Sequence, residues 1–424
     1  MRGRGWRRRA AAVLAAGVVL LTGSGPAAAD PARPTADPGA PTPTAPYPGL
    51  PPQGSAPGGG TVGGEDLDTR DVVVADGTPP LPEGIVARGW LVADALSGEV
   101  LAARDPHGRY YPASTLKALT LLTLAPLLDP AQVVEGTVED EQVEGSRVGL
   151  VAGGRYPVSL LFVAMVLQSG NDAANALARA AGGVDRTLAA MNATAEQIGA
   201  FDTVAGTPSG LDVAGQSSSP YDLALVFRRL VADPVTAAIL VAPTAQMPPV
   251  EGRSPGYQIQ NQNPLSGYPG GLGGKTGFTD AARHTFVTAA ERDGRRLVVS
   301  VMGTENLPLR AADQAALLLD WGFGTDPGTG GVGRLVDSGA EARATAEPAA
   351  AGTTTPAATS APPAGPLPAA AATDGEQSGG APAVVGGVLV VAAAGVVVAT
   401  VVGRRRAVRR PPARSGAGSP STRR

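Results

Sequence analysis

The 424-residue chain contains no cysteine, which excludes a disulfide framework, a thiolate nucleophile and a zinc–thiolate site. It has only two histidines, His107 and His284, too few for a catalytic zinc centre of the usual kind. His107 lies in the turn "RDPHGRYY" and His284 opens a strand beside a polar loop. Neither is placed for a serine–histidine–aspartate triad, and both are expected in surface or hydrogen-bonding roles. Basic residues are not in excess, with 34 Lys and Arg against 37 Asp and Glu. Thirteen of the arginines fall within residues 1–29 or after 383, where there is no acidic residue, so the part between carries a net charge of about −16. An acidic balance excludes nucleic acid as a partner, because phosphate neutralisation needs a basic face. The sharpest deficit is in lysine. Only Lys117 and Lys275 are lysines, and every other basic side chain is arginine. A guanidinium cannot give up its proton in a protein, whereas a desolvated ammonium can, and then becomes a base. Two positions in this chain therefore ask for more than charge.

Proline and glycine, 40 and 58 residues, are concentrated outside one central stretch, the only part able to build a large core. Residues 1–29 read as an export signal: five arginines, the apolar run "AAAVLAAGVVLL", and small residues before a cut after Ala29. Residues 30–64 form a Pro/Gly-rich leader with too little apolar bulk to fold, and 338–382 form a Pro/Ala/Thr-rich tether of the same kind. Residues 383–402 are unbroken apolar and glycine, long enough to span a bilayer as a helix. The tail 403–424 carries eight arginines, which places it in the cytoplasm and everything before the span outside the cell. The expected location is the cell membrane, with one pass and an extracellular domain at 65–330.

Within that domain "ARGWLVADALSGEVLAARDP" reads as two strands around a turn at Ser97 and Gly98. Helical segments follow at 114–128 and from 157, 172, 184 and 219. The period then switches: "HTFVTAA", the turn "ERDG" and "RRLVVSVMG" form a hairpin, and "PLRAADQAALLLDWGF" closes with a helix. Strands at both ends with helices between them predict an α+β fold in which the first and last strands share one sheet.

Ser114 opens the apolar helical segment and Lys117 follows three residues later, on the same helix face. As a plain structural feature Ser114 would be an N-cap. An unperturbed lysine has a pKa near 10.4 and is almost wholly charged at pH 7. Flanking leucines and alanines, the positive helix end and a second cation would each lower it, and Lys275 is the candidate cation. Ser169, Gly170 and Asn171 stand between two apolar helical segments in "LQSGNDAANALA". They are either a helix junction with its cap or a hydroxyl and an amide aimed into a cleft. In "GYPGGLGGKTGFTD" glycines strip side chains from the approach to Lys275, Thr276 and Gly277, leaving backbone that a ligand can reach and a strand that an extended substrate could pair with.

These three elements, in this order, resemble the serine penicillin-recognising enzymes. The stretches "RYPVSLLFVAMVLQSGNDAANALA", "SGLDVAGQSSSPYDLALVFRRL" and "KTGFTDAARHTFVTAA" are similar to those of D-alanyl-D-alanine carboxypeptidases among the low-molecular-mass penicillin-binding proteins, over about residues 85–325. The resemblance implies a β-lactamase/transpeptidase-like fold, an antiparallel sheet flanked by helices with an all-helical subregion. It implies Ser114 as nucleophile, Lys117 as its base, Ser169 as proton relay and Asn171 as orienting group. Lys275, Thr276, Gly277 and Phe278 would bind substrate, and the N–H groups of Ser114 and Phe278 would form the oxyanion hole. It implies no cofactor or metal, a peptidoglycan stem ending in D-Ala-D-Ala as substrate, and β-lactams as inhibitors. Rival readings are a D,D-endopeptidase cutting cross-links and a non-catalytic penicillin- or wall-binding sensor. Two departures stand out: family members often carry an extra β-rich domain before a membrane-binding helix, and some have histidine where this chain has Phe278.

Overall fold

The computed structural model describes residues 53–57 and 60–345. The export signal, most of the leader, the bulk of the tether, the apolar segment 383–402 and the basic tail lie outside the described residues. Among the described residues no helix is long and apolar enough to cross a membrane.

The strands are β1 (Val72–Val74), β2 (Gly89–Asp94), β3 (Val100–Arg104), β4 (Val133–Glu135), β5 (Arg155–Pro157), β6 (Thr244–Met247), β7 (Tyr257–Gln260), β8 (Gly271–Thr279), β9 (Arg283–Arg292) and β10 (Arg295–Thr304). The helices are α1 (Lys117–Leu124), α2 (Val138–Gln142), α3 (Val158–Leu167), α4 (Asn171–Ala180), α5 (Val184–Ile198), α6 (Pro220–Ala232), α7 (Pro234–Val241), α8 (Ala311–Phe323) and α9 (Gly339–Thr345). One sheet runs β1-β3-β2-β10-β9-β8 with all neighbours antiparallel. The expected fold class holds: β2 lies beside β10, so strands from both ends of the chain share the sheet, and the helices from α1 to α7 fill the space between β3 and β8 in sequence.

The sheet's central strands are apolar on both faces because both faces are covered. On one side Trp90, Val92, Leu101, Phe286, Leu297 and Val299 pack against Ala315, Leu318 and Leu319 of α8. On the other, Leu91, Ala93, Val287 and Val298 join the core with Leu119 and Leu121 of α1 and Phe227 and Leu230 of α6. The period-2 alternation of a strand sorts these two sets. Helix α1 is buried almost all round, Lys117 included. Helix α6 starts where Ser219 accepts a hydrogen bond from the Asp222 N–H and Pro220 takes the first helical position, a common opening for a helix.

The hairpin turn is shorter than the four residues "ERDG". The strands run to Arg292 and resume at Arg295, leaving Asp293 and Gly294, both at positive φ, the two-residue turn that suits strand twist. The hairpin β6–β7, the pair β4–β5 and helix α7 had no counterpart in the sequence reading, being too short for periodicity to mark.

The fold extends past both boundaries read from the sequence. At the N-terminal side Ala56 and Val62, within the segment assigned to the leader, are 1% and 2% exposed. They are held by polar groups that composition does not reveal: the Gly54 N–H donates to Asp202 Oδ1 at 3.0 Å and the Val62 carbonyl lies 3.0 Å from His107 Nε2. At the other side Leu335 and Val336 are buried and α9 takes up Gly339–Thr345. The Tyr221 hydroxyl donates to the Arg334 carbonyl at 2.7 Å and accepts from the Val336 N–H at 3.0 Å. The ends meet where the Arg334 N–H donates to the Gly63 carbonyl.

His107 is therefore a buried hydrogen-bonding residue and not a surface one. Its Nδ1 lies 2.9 Å from Asp202 Oδ2, and Asp202 Oδ1 also accepts from Arg109 Nε at 2.9 Å. Burial alone would discharge the imidazole, but Asp202 outweighs it and holds the pKa above 6.5. Burial also pushes the Asp222 carboxyl up to about 8 from 3.8, with Asp202 adding to the effect. Both groups bind their proton more tightly folded than unfolded. The stability they contribute is complete below the unfolded pKa values and is lost as pH rises through the folded ones. Asp222→Asn, which cannot titrate, is expected to lose the part of the pH dependence of the urea midpoint between about pH 5.5 and about pH 8 that Asp222 supplies, and a variant with the wild-type pH dependence would contradict the Asp222 shift.

Candidate active site

Ser114 stands on a single turn of 3-10 helix, Ala113–Leu116, which runs directly into α1. Ala113 just before it has φ 48, a strained conformation for a residue with a side chain that persists only where the surroundings enforce it. Here the enforcement is visible. The Pro112 carbonyl accepts from Thr285 Oγ1 at 2.9 Å and from Thr115 Oγ1 at 2.5 Å. Gly210, at φ 85, sits so close that a Cβ there would be 1.9 Å from the Ala113 carbonyl oxygen. Only glycine fits that approach.

One turn on from Ser114, at the first residue of α1, the Lys117 side chain is 0% exposed. Its Nζ lies 2.8 Å from Ser114 Oγ, 2.7 Å from Asn171 Oδ1 and 2.6 Å from the Ser209 carbonyl oxygen. Asn171 is the first residue of α4. Its Nδ2 donates to the Glu144 carbonyl at 2.7 Å and its backbone N–H to the Ser146 carbonyl at 2.8 Å, so its Oδ1 is the atom turned to the lysine. Ser169 and Gly170 form the junction between α3 and α4, with Ser169 at φ 58. The stretch is a helix junction, but no side chain caps α4, whose N-cap is Gly170, and the Ser169 hydroxyl accepts from Lys275 Nζ at 3.0 Å.

Lys275 reaches the site from β8, the edge strand of the sheet. It is 3% exposed, and its Nζ also donates to the Thr276 carbonyl at 2.8 Å. Gly277 pairs with Thr285 of β9. A Cβ at 277 would lie 2.4 Å from Thr285 Oγ1, 2.9 Å from the Ser114 backbone nitrogen and 3.0 Å from that of Thr115. The missing side chain lets the strand press against the turn that carries Ser114. Phe278 is 49% exposed. Its ring packs on His284 with centroids 4.5 Å apart and lies under the Arg283 guanidinium at 5.5 Å. Arg283 is in turn paired with Glu305 at 2.7 and 2.8 Å.

All eight residues singled out in the sequence thus fall on three elements, the Ser114 turn with α1, the α3–α4 junction and β8. They form two serine–lysine pairs, Ser114 with Lys117 and Ser169 with Lys275. Burial drives the Lys117 ammonium well below its ordinary 10.5, the charge of Lys275 drives it further, and Asp172 pulls the other way. Burial lowers Lys275 to about 7. Both shifts follow from the cost of a charge out of water. No group of three or more His, Cys, Asp or Glu that could hold a metal exists among the described residues.

The sequence reading missed the Ser209 carbonyl and the residues that aim it. Gln216 is 0% exposed. Its Oε1 accepts from the Gly206 and Thr207 N–H groups at 3.2 and 3.0 Å, and its Nε2 donates to the Leu211 carbonyl at 2.9 Å. Thr120 Oγ1, from α1, donates to the Pro208 carbonyl at 2.7 Å. The only trace of this in the sequence is the glycine-punctuated "SGLDVAGQ".

The family profile described as D-alanyl-D-alanine carboxypeptidase matches residues 76–306. The chain is 47% identical over 257 residues to the D-alanyl-D-alanine carboxypeptidase DacB2 of Mycobacterium tuberculosis, covering 59% of this chain and 87% of that one. It is 31% identical to DacA of Escherichia coli, of whose length it spans 64%. Among solved structures, a D-alanyl-D-alanine carboxypeptidase from Mycobacterium tuberculosis superposes with a TM-score of 0.59 at 45% identity, covering 62% of this chain and all of the other. A DD-transpeptidase of Streptomyces shares the fold at 23% identity, with a TM-score of 0.53. The chain belongs to the D-alanyl-D-alanine carboxypeptidase family of serine peptidases.

Proposed function

We propose that the protein removes the terminal D-alanine from peptidoglycan stem peptides through an acyl-enzyme on Ser114, with Lys117 as the base. The observation that carries this reading is the set of partners around Lys117 Nζ. Two of the three, Asn171 Oδ1 and the Ser209 carbonyl, can only accept hydrogen bonds, and the third is the Ser114 hydroxyl. A neutral amine has two N–H groups and one lone pair. The N–H groups satisfy the two carbonyl oxygens, and the lone pair is left facing the Ser114 O–H.

In the reaction Ser114 Oγ attacks the carbonyl carbon of the penultimate D-alanine while its proton passes to Lys117 Nζ. The tetrahedral oxyanion is held by the N–H groups of Ser114 and Phe278. The C–N bond then breaks, and the leaving D-alanine amine takes a proton delivered through the Ser114–Lys117 and Ser169–Lys275 pairs. Water hydrolyses the resulting ester and Ser114 regains its proton. Thr276 and Lys275 receive the substrate's terminal carboxylate. An arriving carboxylate favours the charged form of Lys275, and a charged Lys275 depresses Lys117, so substrate binding and base activation reinforce each other. Penicillin enters the same path, its lactam amide standing in for the scissile bond. The direct test is release of free D-alanine from a D-Ala-D-Ala-terminated pentapeptide. Cleavage of cross-linked dimers without release from the monomer would replace this reading with an endopeptidase.

The same proposal extends to location. The signal-like residues 1–29 and the apolar run 383–402 before an arginine-rich tail support an exported catalytic domain anchored by one C-terminal helix. Protease added to intact cells stripped of their wall is expected to release the domain by cutting within 346–382. A domain protected until the membrane is breached would reverse the orientation.

A further inference from the structure

Immediately after Asn171 lies an acid that the proposed reaction does not use. Asp172 is 0% exposed. Its Oδ1 accepts from the Val148 N–H at 2.9 Å and from its neighbour Ala173 at 2.9 Å, and its Oδ2 accepts from Gly149 and Leu150 at 2.8 and 3.0 Å. Three of those donors are consecutive amides of a single segment. That segment also supplies the Glu144 and Ser146 carbonyls that fix Asn171. Asn171 and Asp172 thus grip the segment with opposite chemistry, one donating to it and the other accepting from it. Tyr257 on β7 holds the outer side by donating its hydroxyl to the Val148 carbonyl.

We propose that Asp172 is a positioning residue for acylation: its carboxylate locks residues 144–150 in the form that aims Asn171 Oδ1 at Lys117. The titratable groups that feel its charge are Lys117 on α1, Tyr156 on β5 and Tyr257 on β7. Burial first and Asp172 after it keep the Tyr156 and Tyr257 hydroxyls from ionising, and Asp172 is the group that opposes the depression of Lys117. Ionised, the carboxylate satisfies four N–H donors as an acceptor only. An amide in its place would turn N–H groups against N–H groups.

The inference rests on Ser114 and Lys117 being the reacting pair, so wild-type acylation by penicillin is measured first, and a wild-type chain unlabelled at Ser114 would defeat that reading and not this one alone. With labelling established, the experiment follows Asp172→Asn in the full-length protein. The noncovalent affinity for penicillin and the acylation rate constant are separated by stopped flow, and the lysines are titrated with a 13C label at Cε. The chain has only two lysines, so each gives one resonance. The expected result is a rate constant lower on the order of 10²-fold with affinity little changed, a Lys117 midpoint moved to lower pH, and a Lys275 midpoint unmoved. A merely structural role for Asp172 would not move one lysine alone. Asp172→Glu keeps the charge and displaces the carboxylate, so acylation should slow with the Lys117 midpoint in place. A folded Asp172→Asn with the wild-type rate constant, or with an unmoved Lys117 midpoint, overturns the proposal. If Asp172→Asn does not fold, an unslowed Asp172→Glu overturns it by itself.

Discussion

Replacing Ser114 with alanine is expected to abolish covalent labelling by a fluorescent penicillin and to stop D-alanine release, while the chain remains folded. The fold should survive because the deleted oxygen is one of three partners of Lys117 Nζ, and the other two, at 2.7 and 2.6 Å, stay in place. The turn itself is held by Thr285, Thr115 and Gly210 acting on the backbone, and none of these contacts uses the Ser114 side chain. Removing a nucleophile usually eliminates nearly all of an enzyme's advantage, since the remaining groups act as a unit with it. The Ser169 hydroxyl is engaged by Lys275 at 3.0 Å. Penicillin label persisting in Ser114→Ala, mapped to Ser169, would exchange the roles of the two serine–lysine pairs.

The second large effect is expected from Lys117→Arg. A guanidinium stays protonated at any pH the protein survives, so it cannot receive the Ser114 proton, and general-base assistance is commonly worth about 10²–10⁴ in rate. Packing adds to the loss: Nζ is enclosed by oxygen atoms at 2.6 to 2.8 Å, with no room for a longer, forked head group. Lys275→Arg is the matched control. In the proposed reaction Lys275 serves by its positive field beside the substrate carboxylate, which arginine supplies in part, so measurable acylation should remain. Equal acylation rates in the two variants, each checked for folding by circular dichroism, would mean that position 117 needs only charge.

How much of this was legible before the structure depended on which atoms did the work. The β2–β3 and β9–β10 hairpins and the helices from 158, 171, 184 and 220 follow side-chain periodicity and turn residues, and they formed close to where those signals put them. Ser114 and Lys117 share a helix face because of their spacing, and the charge of Lys275 reaches Lys117. The Ser209 carbonyl was invisible because a backbone oxygen is carried by any residue, and its position is set by Gln216 and Thr207 through contacts that no local pattern encodes. Asp172 stands in the sequence only as the residue after Asn171, which says nothing of its hold on residues 148–150. Residues 53–57 and 60–64 looked unable to fold because composition counts apolar bulk. They are fastened instead by His107 and Asp202, side chains some 45 and 148 positions away from their partners Val62 and Gly54.

The most direct measurement is the titration of the wild-type protein labelled with 13C at lysine Cε. Its two resonances are assigned from the spectrum of Lys275→Arg, which contains one lysine. Lys117 is predicted to titrate well below 10.5 and Lys275 near 7, so that the Lys117 resonance reaches the neutral amine's chemical shift well before the pH at which an ordinary lysine does. A Lys117 resonance that stays fully protonated up to about pH 9, with its midpoint at the ordinary lysine value, would show that the amine beside Ser114 is a fixed charge and not a base.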